Sequence, residues 1–82
     1  MFINKTNEGL NNISGKVIAA KRKEMKISQR QLADRLQLLG MDVDKNAIQR
    51  IEAGKRFVTD IELVFFARVL SLSYNELLKG TE

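Results

Sequence analysis

The chain carries Ile27-Ser28-Gln29-Arg30-Gln31-Leu32-Ala33-Asp34-Arg35-Leu36 and, a short way on, Val43-Asp44-Lys45-Asn46-Ala47-Ile48-Gln49-Arg50-Ile51-Glu52-Ala53-Gly54. Each stretch reads as a helix with a marked start. Ser28 with Gln31 forms a capping box, in which each side chain satisfies an exposed backbone N–H of the first turn. Leu32, Ala33, Leu36 and Leu39 follow at helical spacing, and Gly40 is the natural stop. In the second stretch Asp44 is a good N-cap whose charge suits the positive end of the helix dipole. Val43 and Ile48 occupy the two positions of a hydrophobic staple, and Gly54 ends the helix.

The same grammar extends to both sides. Upstream, a helix is expected from about Gly15 to Met25, with Ser14 as its cap and Val17, Ile18 and Met25 on its apolar side. Lys26 follows where a left-handed glycine is expected, which implies strain or a different turn. Downstream, Thr59 with Glu62 and Ser73 with Glu76 make two more capping boxes. Leu63, Phe66, Ala67 and Leu70 form the apolar stripe of the fourth helix; Tyr74, Leu77 and Leu78 belong to the fifth. The fold class is therefore all-α, with five helices. Residues 1–12 are polar, Asn-rich and without periodicity, so they read as a flexible or loosely docked arm ahead of a single domain over 13–82. The arm's apolar residues Phe2, Ile3 and Leu10 are the ones through which it would dock, if it docks at all.

Composition narrows the function. The chain has 82 residues, no proline, no cysteine and no histidine. Disulfides, thiolate–imidazole zinc sites, cysteine nucleophiles and Ser-His-Asp triads are thereby excluded, and no metal, cofactor or enzymatic activity is expected. No apolar run approaches the roughly 18 residues that span a bilayer, and the start Met1-Phe2-Ile3-Asn4-Lys5 lacks the apolar core of a signal peptide, so no membrane is expected as partner and a cytoplasmic location is expected. The net charge of +4 is unevenly spread. Lys16, Lys21, Arg22, Lys23, Lys26, Arg30 and Arg35 crowd one stretch against only Glu24 and Asp34. From Asp60 onward acids lead. A polyanion on one side of the molecule suits that asymmetry, although a solvated helix surface has the same look.

Taking about 100° per residue, Ile48, Ile51 and Asp44 share the inward side of the third helix. Asn46, Gln49, Arg50 and Ala53 point the other way, with Lys45 on the flank. Asn and Gln can bond adenine twice, as Arg or Lys can guanine, and a helix about 10–12 Å across fits the major groove of B-DNA. Any surface helix shows such groups to water, so context decides.

That context resembles the Cro-type, or XRE-type, helix-turn-helix regulators related to phage repressors. The resemblance lies in Ile18-x-x-x-Arg22, in Ile27 to Leu36 and in Val43-x-x-x-x-Ile48-Gln49-Arg50-Ile51-Glu52-Ala53-Gly54-Lys55-Arg56. It continues in Leu63-Val64-x-Phe66-Ala67-x-Val69-Leu70 and Ser73-Tyr74-x-Glu76-Leu77-Leu78, so that it spans residues 17–79. It implies a compact five-helix domain whose helix-turn-helix is formed by helices two and three, acting as a sequence-specific regulator of transcription, a repressor, on a double-stranded operator. It also implies roles. Lys45, Asn46, Gln49 and Arg50 would reach base edges. Gln29, Lys55 and Arg56 would hold phosphates, with Lys21 and Lys26 as weaker candidates. Arg22 and Glu52 would pair and tie the first helix to the third. The chain departs from the compact motif in Gln37-Leu38-Leu39-Gly40-Met41, about five residues more than usual, which lengthens helix two by a turn and widens the connection.

Relatives of this kind usually pair on half-sites about one helical turn apart, so a homodimer is expected at least on DNA. Ile61, Phe65 and Leu72 make a second apolar face that is either the dimer seam or ordinary core under helix five or the arm. The alternative function is a protein-interaction module, or antitoxin-like partner, keeping the fold without specific DNA binding.

Overall fold

The computed structural model describes residues 5–79, and within them the only regular elements are helices: α1 (Gly15–Glu24), α2 (Gln29–Leu38), α3 (Lys45–Glu52), α4 (Asp60–Leu70) and α5 (Tyr74–Leu77). Their starts follow local chemistry. Full capping boxes join Ser28 to Gln31, Thr59 to Glu62 and Ser73 to Glu76. Asp44 Oδ1 accepts the Ala47 N–H at 2.8 Å. α1 is the exception. Ser14 makes no capping hydrogen bond, and Asn12 Oδ1 accepts the Gly15 N–H at 2.8 Å in its place. Ser14 is itself in helical conformation and buried, so its hydroxyl is not placed to cap.

The first three helices end with one geometry. After α2 the Gly40 N–H donates to Gln37 and the Met41 N–H to Leu36; after α3 the Gly54 N–H donates to Ile51 and the Lys55 N–H to Arg50. These paired bonds satisfy carbonyls that the last turn would leave open. α1 closes in the same way, with the Lys26 N–H on Lys23 and the Ile27 N–H on Arg22. Lys26 accordingly sits at φ 60°, a left-handed conformation that costs a side-chain-bearing residue about 1–2 kcal/mol. The strain expected there is present.

One core serves all five helices. It is built from Ile18, Ile27, Leu32, Ala33, Leu36, Met41, Val43, Ile48, Ile51, Phe66, Leu70 and Leu77, all buried. α3 packs on α2 and α1, α4 lies against α1 and α2, and α5 closes on α4 and α1. The longer α2–α3 connection is anchored rather than loose. Met41 and Val43 enter the core, and the Gln37 amide donates to the Val43 carbonyl. Because α3 leans on neighbours along one side, its other side stays open.

The second apolar face divides. Phe65 and Leu72 are half-buried and pack on the core, whereas Ile61 is 69% exposed. Leu10 docks on the body, as described below. Phe2 and Ile3 lie outside the described residues.

Candidate nucleic-acid interface

The open side of α3 is made by the alternation its sequence sets. Ile48 and Ile51 are completely buried, while Lys45, Asn46, Gln49, Arg50 and Ala53 are exposed. The surface is short, rigid at its start through the Asp44 cap, and dense in forked donors and acceptors. Burial of the two isoleucines, about 1.5–3 kcal/mol each, holds that edge outward.

Beneath it lies a polar clamp. Arg22 Nε donates to Glu52 Oε2 at 2.7 Å and Arg22 Nη2 to Glu52 Oε1 at 3.0 Å, a two-pronged ion pair between α1 and α3. The side chains are 11% and 8% exposed. Arg22 Nη1 also donates to the Ile27 carbonyl at 2.9 Å, just beyond the left-handed Lys26. The hydrogen bond that Arg22 donates to Glu52 raises the guanidinium above its usual range; burial opposes this and the carboxylate's charge adds to it. A third member joins from α2, for Gln29 Nε2 donates to Glu52 Oε1 at 3.0 Å. Helices one, two and three are thus keyed together at a single carboxylate.

The other expected contact residues fall into different settings. Gln29, half-buried at the first position of α2, lies beside the dipole end of that helix, but one of its amide hydrogens is already used by Glu52. Lys55 is exposed directly after α3. Arg56 is half-buried and turned inward: Nη2 and Nη1 reach Glu62 Oε2 and Oε1 at 2.8 and 3.1 Å, and Nη1 also reaches the Phe57 carbonyl at 3.2 Å. Burial pushes the Glu62 carboxyl upward, but the hydrogen bonds from Arg56 and Thr59 prevail and hold it below the usual carboxylate range. Lys26 is exposed, and Lys21 is half-buried with its ammonium 3.3 Å from Glu24.

Sequence reasoning passed over three residues that shape this surface. Gly15 is one: a Cβ there would lie 2.2 Å from the Ile51 carbonyl oxygen, so α1 approaches the end of α3 as only glycine allows. Asn11 and Asn12 are the others, bonded to the backbone beyond α3. A polar, aperiodic arm gave no signal for them, since their partners lie about forty residues away in the chain. Among the described residues no group of acidic side chains is disposed to hold a metal, and no helix is long and apolar enough to cross a membrane.

No curated protein sequence matches the chain. Among solved structures it is similar to the P22 c2 repressor, determined in complex with synthetic operator 9T in the presence of Tl+. The two are 28% identical, superpose with a TM-score of 0.70, and the match covers 85% of this chain and 98% of that one. The helix-turn-helix family model matches residues 18–77, from the core isoleucine of α1 to the core leucine of α5. With most of its length matched, and the Arg22–Glu52 clamp, open α3 face and five-helix order in place, the chain belongs to the helix-turn-helix family in its XRE-type, phage-repressor-like form.

Proposed function

We propose that the protein is a sequence-specific, double-stranded-DNA-binding repressor that inserts α3 into the major groove. The observation that carries this reading is the exposed Lys45, Asn46, Gln49 and Arg50 edge, held outward by the buried Ile48 and Ile51 on a fold shared with a repressor solved on its operator. Asn46 and Gln49 are the candidates for adenine, and Lys45 and Arg50 for guanine. Lys55 and Lys26 are the candidates for phosphate, together with Gln29 through its remaining amide hydrogen and the α2 dipole. Lys21 and Arg56 would have to share their charge with Glu24 and Glu62. No finding favours the interaction-module alternative.

A single domain of this size makes few base contacts, so we assign it a homodimeric state on a two-fold operator. Ile61 and Phe57, 69% and 53% exposed near the start of α4, are its apolar anchors, with the half-buried Phe65 and Leu72 behind them. The cytoplasm, on the nucleoid, is the location that goes with this role. Selection of bound duplexes from a random pool tests the reading. A recurring inverted repeat with half-sites about 10 base pairs apart is expected. A pool that stays random after several rounds would count against it.

A further inference from the structure

Residues 6–12 precede the stretch that the family model matches, yet they are built onto the end of α3. The segment first closes on itself. The Thr6 N–H donates to the Leu10 carbonyl at 2.8 Å, and Thr6 Oγ1 accepts the Leu10 N–H at 3.0 Å. It then runs along the exit of the recognition helix, collecting carbonyls. The Asn11 N–H donates to Gly54 at 2.8 Å and Asn11 Nδ2 to Lys55 at 3.0 Å. Asn12 Nδ2 donates to both Ile51 at 3.0 Å and Arg56 at 2.7 Å. Leu10 seals the join: a Cβ on Gly54 would lie 2.6 Å from Leu10 Cδ2, so the leucine sits where any other residue's side chain would begin. Gly54 also needs its φ of 75°. The seating holds although Asn11 Oδ1 is left buried without a partner among the described residues.

We infer that residues 6–12 are a strap that positions the recognition helix and the Lys55 loop for DNA, acting without touching DNA itself. The carbonyls it takes are those of the last turn of α3 and the residues that follow. Ile51 already accepts the Gly54 N–H, so the strap adds a second donor there and supplies donors to the Gly54, Lys55 and Arg56 carbonyls, which follow the helix and would otherwise hold it less firmly. A looser hold there would blur the aim of Gln49 and Arg50 and the reach of Lys55. Asn12 is the positioning residue, since one side chain caps α1 through Oδ1 and holds α3 through Nδ2. The inference rests on the DNA-binding reading above for its functional half only.

Two variants separate the roles. Asn12→Asp keeps the oxygen that caps α1 and removes the donor that holds α3. Leu10→Ala removes the seal without changing charge. In both, amide exchange at Gly54 and Lys55 is expected to quicken at least about tenfold while core amides such as Leu32 keep their rates, the signature of local opening. Exchange at Gly54 and Lys55 unchanged, or quickened in step with Leu32, would overturn the strap, leaving at most a contribution to overall stability. On the selected operator, Leu10→Ala is expected to weaken binding about tenfold, equal to about 1.4 kcal/mol. Unchanged affinity would overturn the functional half, and a loss of affinity with exchange at Gly54 and Lys55 unchanged would replace positioning with direct DNA contact. Should the wild-type chain bind no selected duplex, the DNA-binding reading fails, and the exchange rates still decide the strap.

Discussion

Arg50 and Lys55 are both exposed cations near the end of α3, one expected on a base edge and the other on the phosphate backbone. Arg50→Ala is expected to cost about 1–3 kcal/mol on the selected site and to relax preference at one base pair. Equal loss on unrelated duplexes would make Arg50 a backbone contact. Lys55→Ala is expected to weaken binding to all sequences alike and to make the salt slope shallower by about one unit, read by titration across salt concentrations. Lys26 offers a test of strain. Glycine tolerates its φ of 60°, so Lys26→Gly is expected to gain about 0.5–1 kcal/mol and raise the melting temperature by several degrees. Arg22→Ala leaves Glu52 nearly buried with only Gln29 as partner, and a loss of about 3–5 kcal/mol is expected in chemical denaturation. A wild-type denaturation midpoint would remove the clamp from the account.

Helix starts were legible because capping is local: Ser28, Asp44, Thr59 and Ser73 each find a partner within three residues. So were the stops at Gly40 and Gly54 and the strained Lys26, and the period of α3 placed Ile48 and Ile51 inward, although Asp44, grouped with them, is exposed as the cap. What sequence could not show depends on distant partners. Asn12 displaces Ser14 as the cap of α1, and Glu62 turns Arg56 inward, through contacts that packing creates. The split of Ile61 from Phe65 and Leu72 is of the same kind, because α4 is apolar on more than one side and only its neighbours decide which side is covered. Glu62 couples two elements and sets an acid limit. Its folded carboxyl lies below the ordinary value of about 4.3, so its contribution is full above that pH and is lost as pH falls through the folded value. Unfolding free energy from denaturant titration is expected to hold from neutrality to about pH 5 and then fall, and Glu62→Gln to lower the plateau by about 1 kcal/mol and flatten the fall. Identical pH profiles would deny the pair that role.

For the molecule entire, the design places one carboxylate, Glu52, where three helices meet, and turns the polar edge of α3 away from the core. Gly15 shows how little slack the arrangement has. Gly15→Ala drives a methyl against the Ile51 carbonyl, and a loss of about 1–3 kcal/mol in stability is expected from denaturant titration. The central claim is that the exposed edge of α3 meets base pairs. Titrating isotope-labelled protein with its selected duplex while following the side-chain amides of Asn46 and Gln49 and the guanidinium of Arg50 tests it most directly. Large shifts at those three groups, smaller ones on a scrambled duplex, and quiet signals from α4 and α5 away from Ile61 are expected. Silent Asn46, Gln49 and Arg50 signals in a saturated complex would contradict the account.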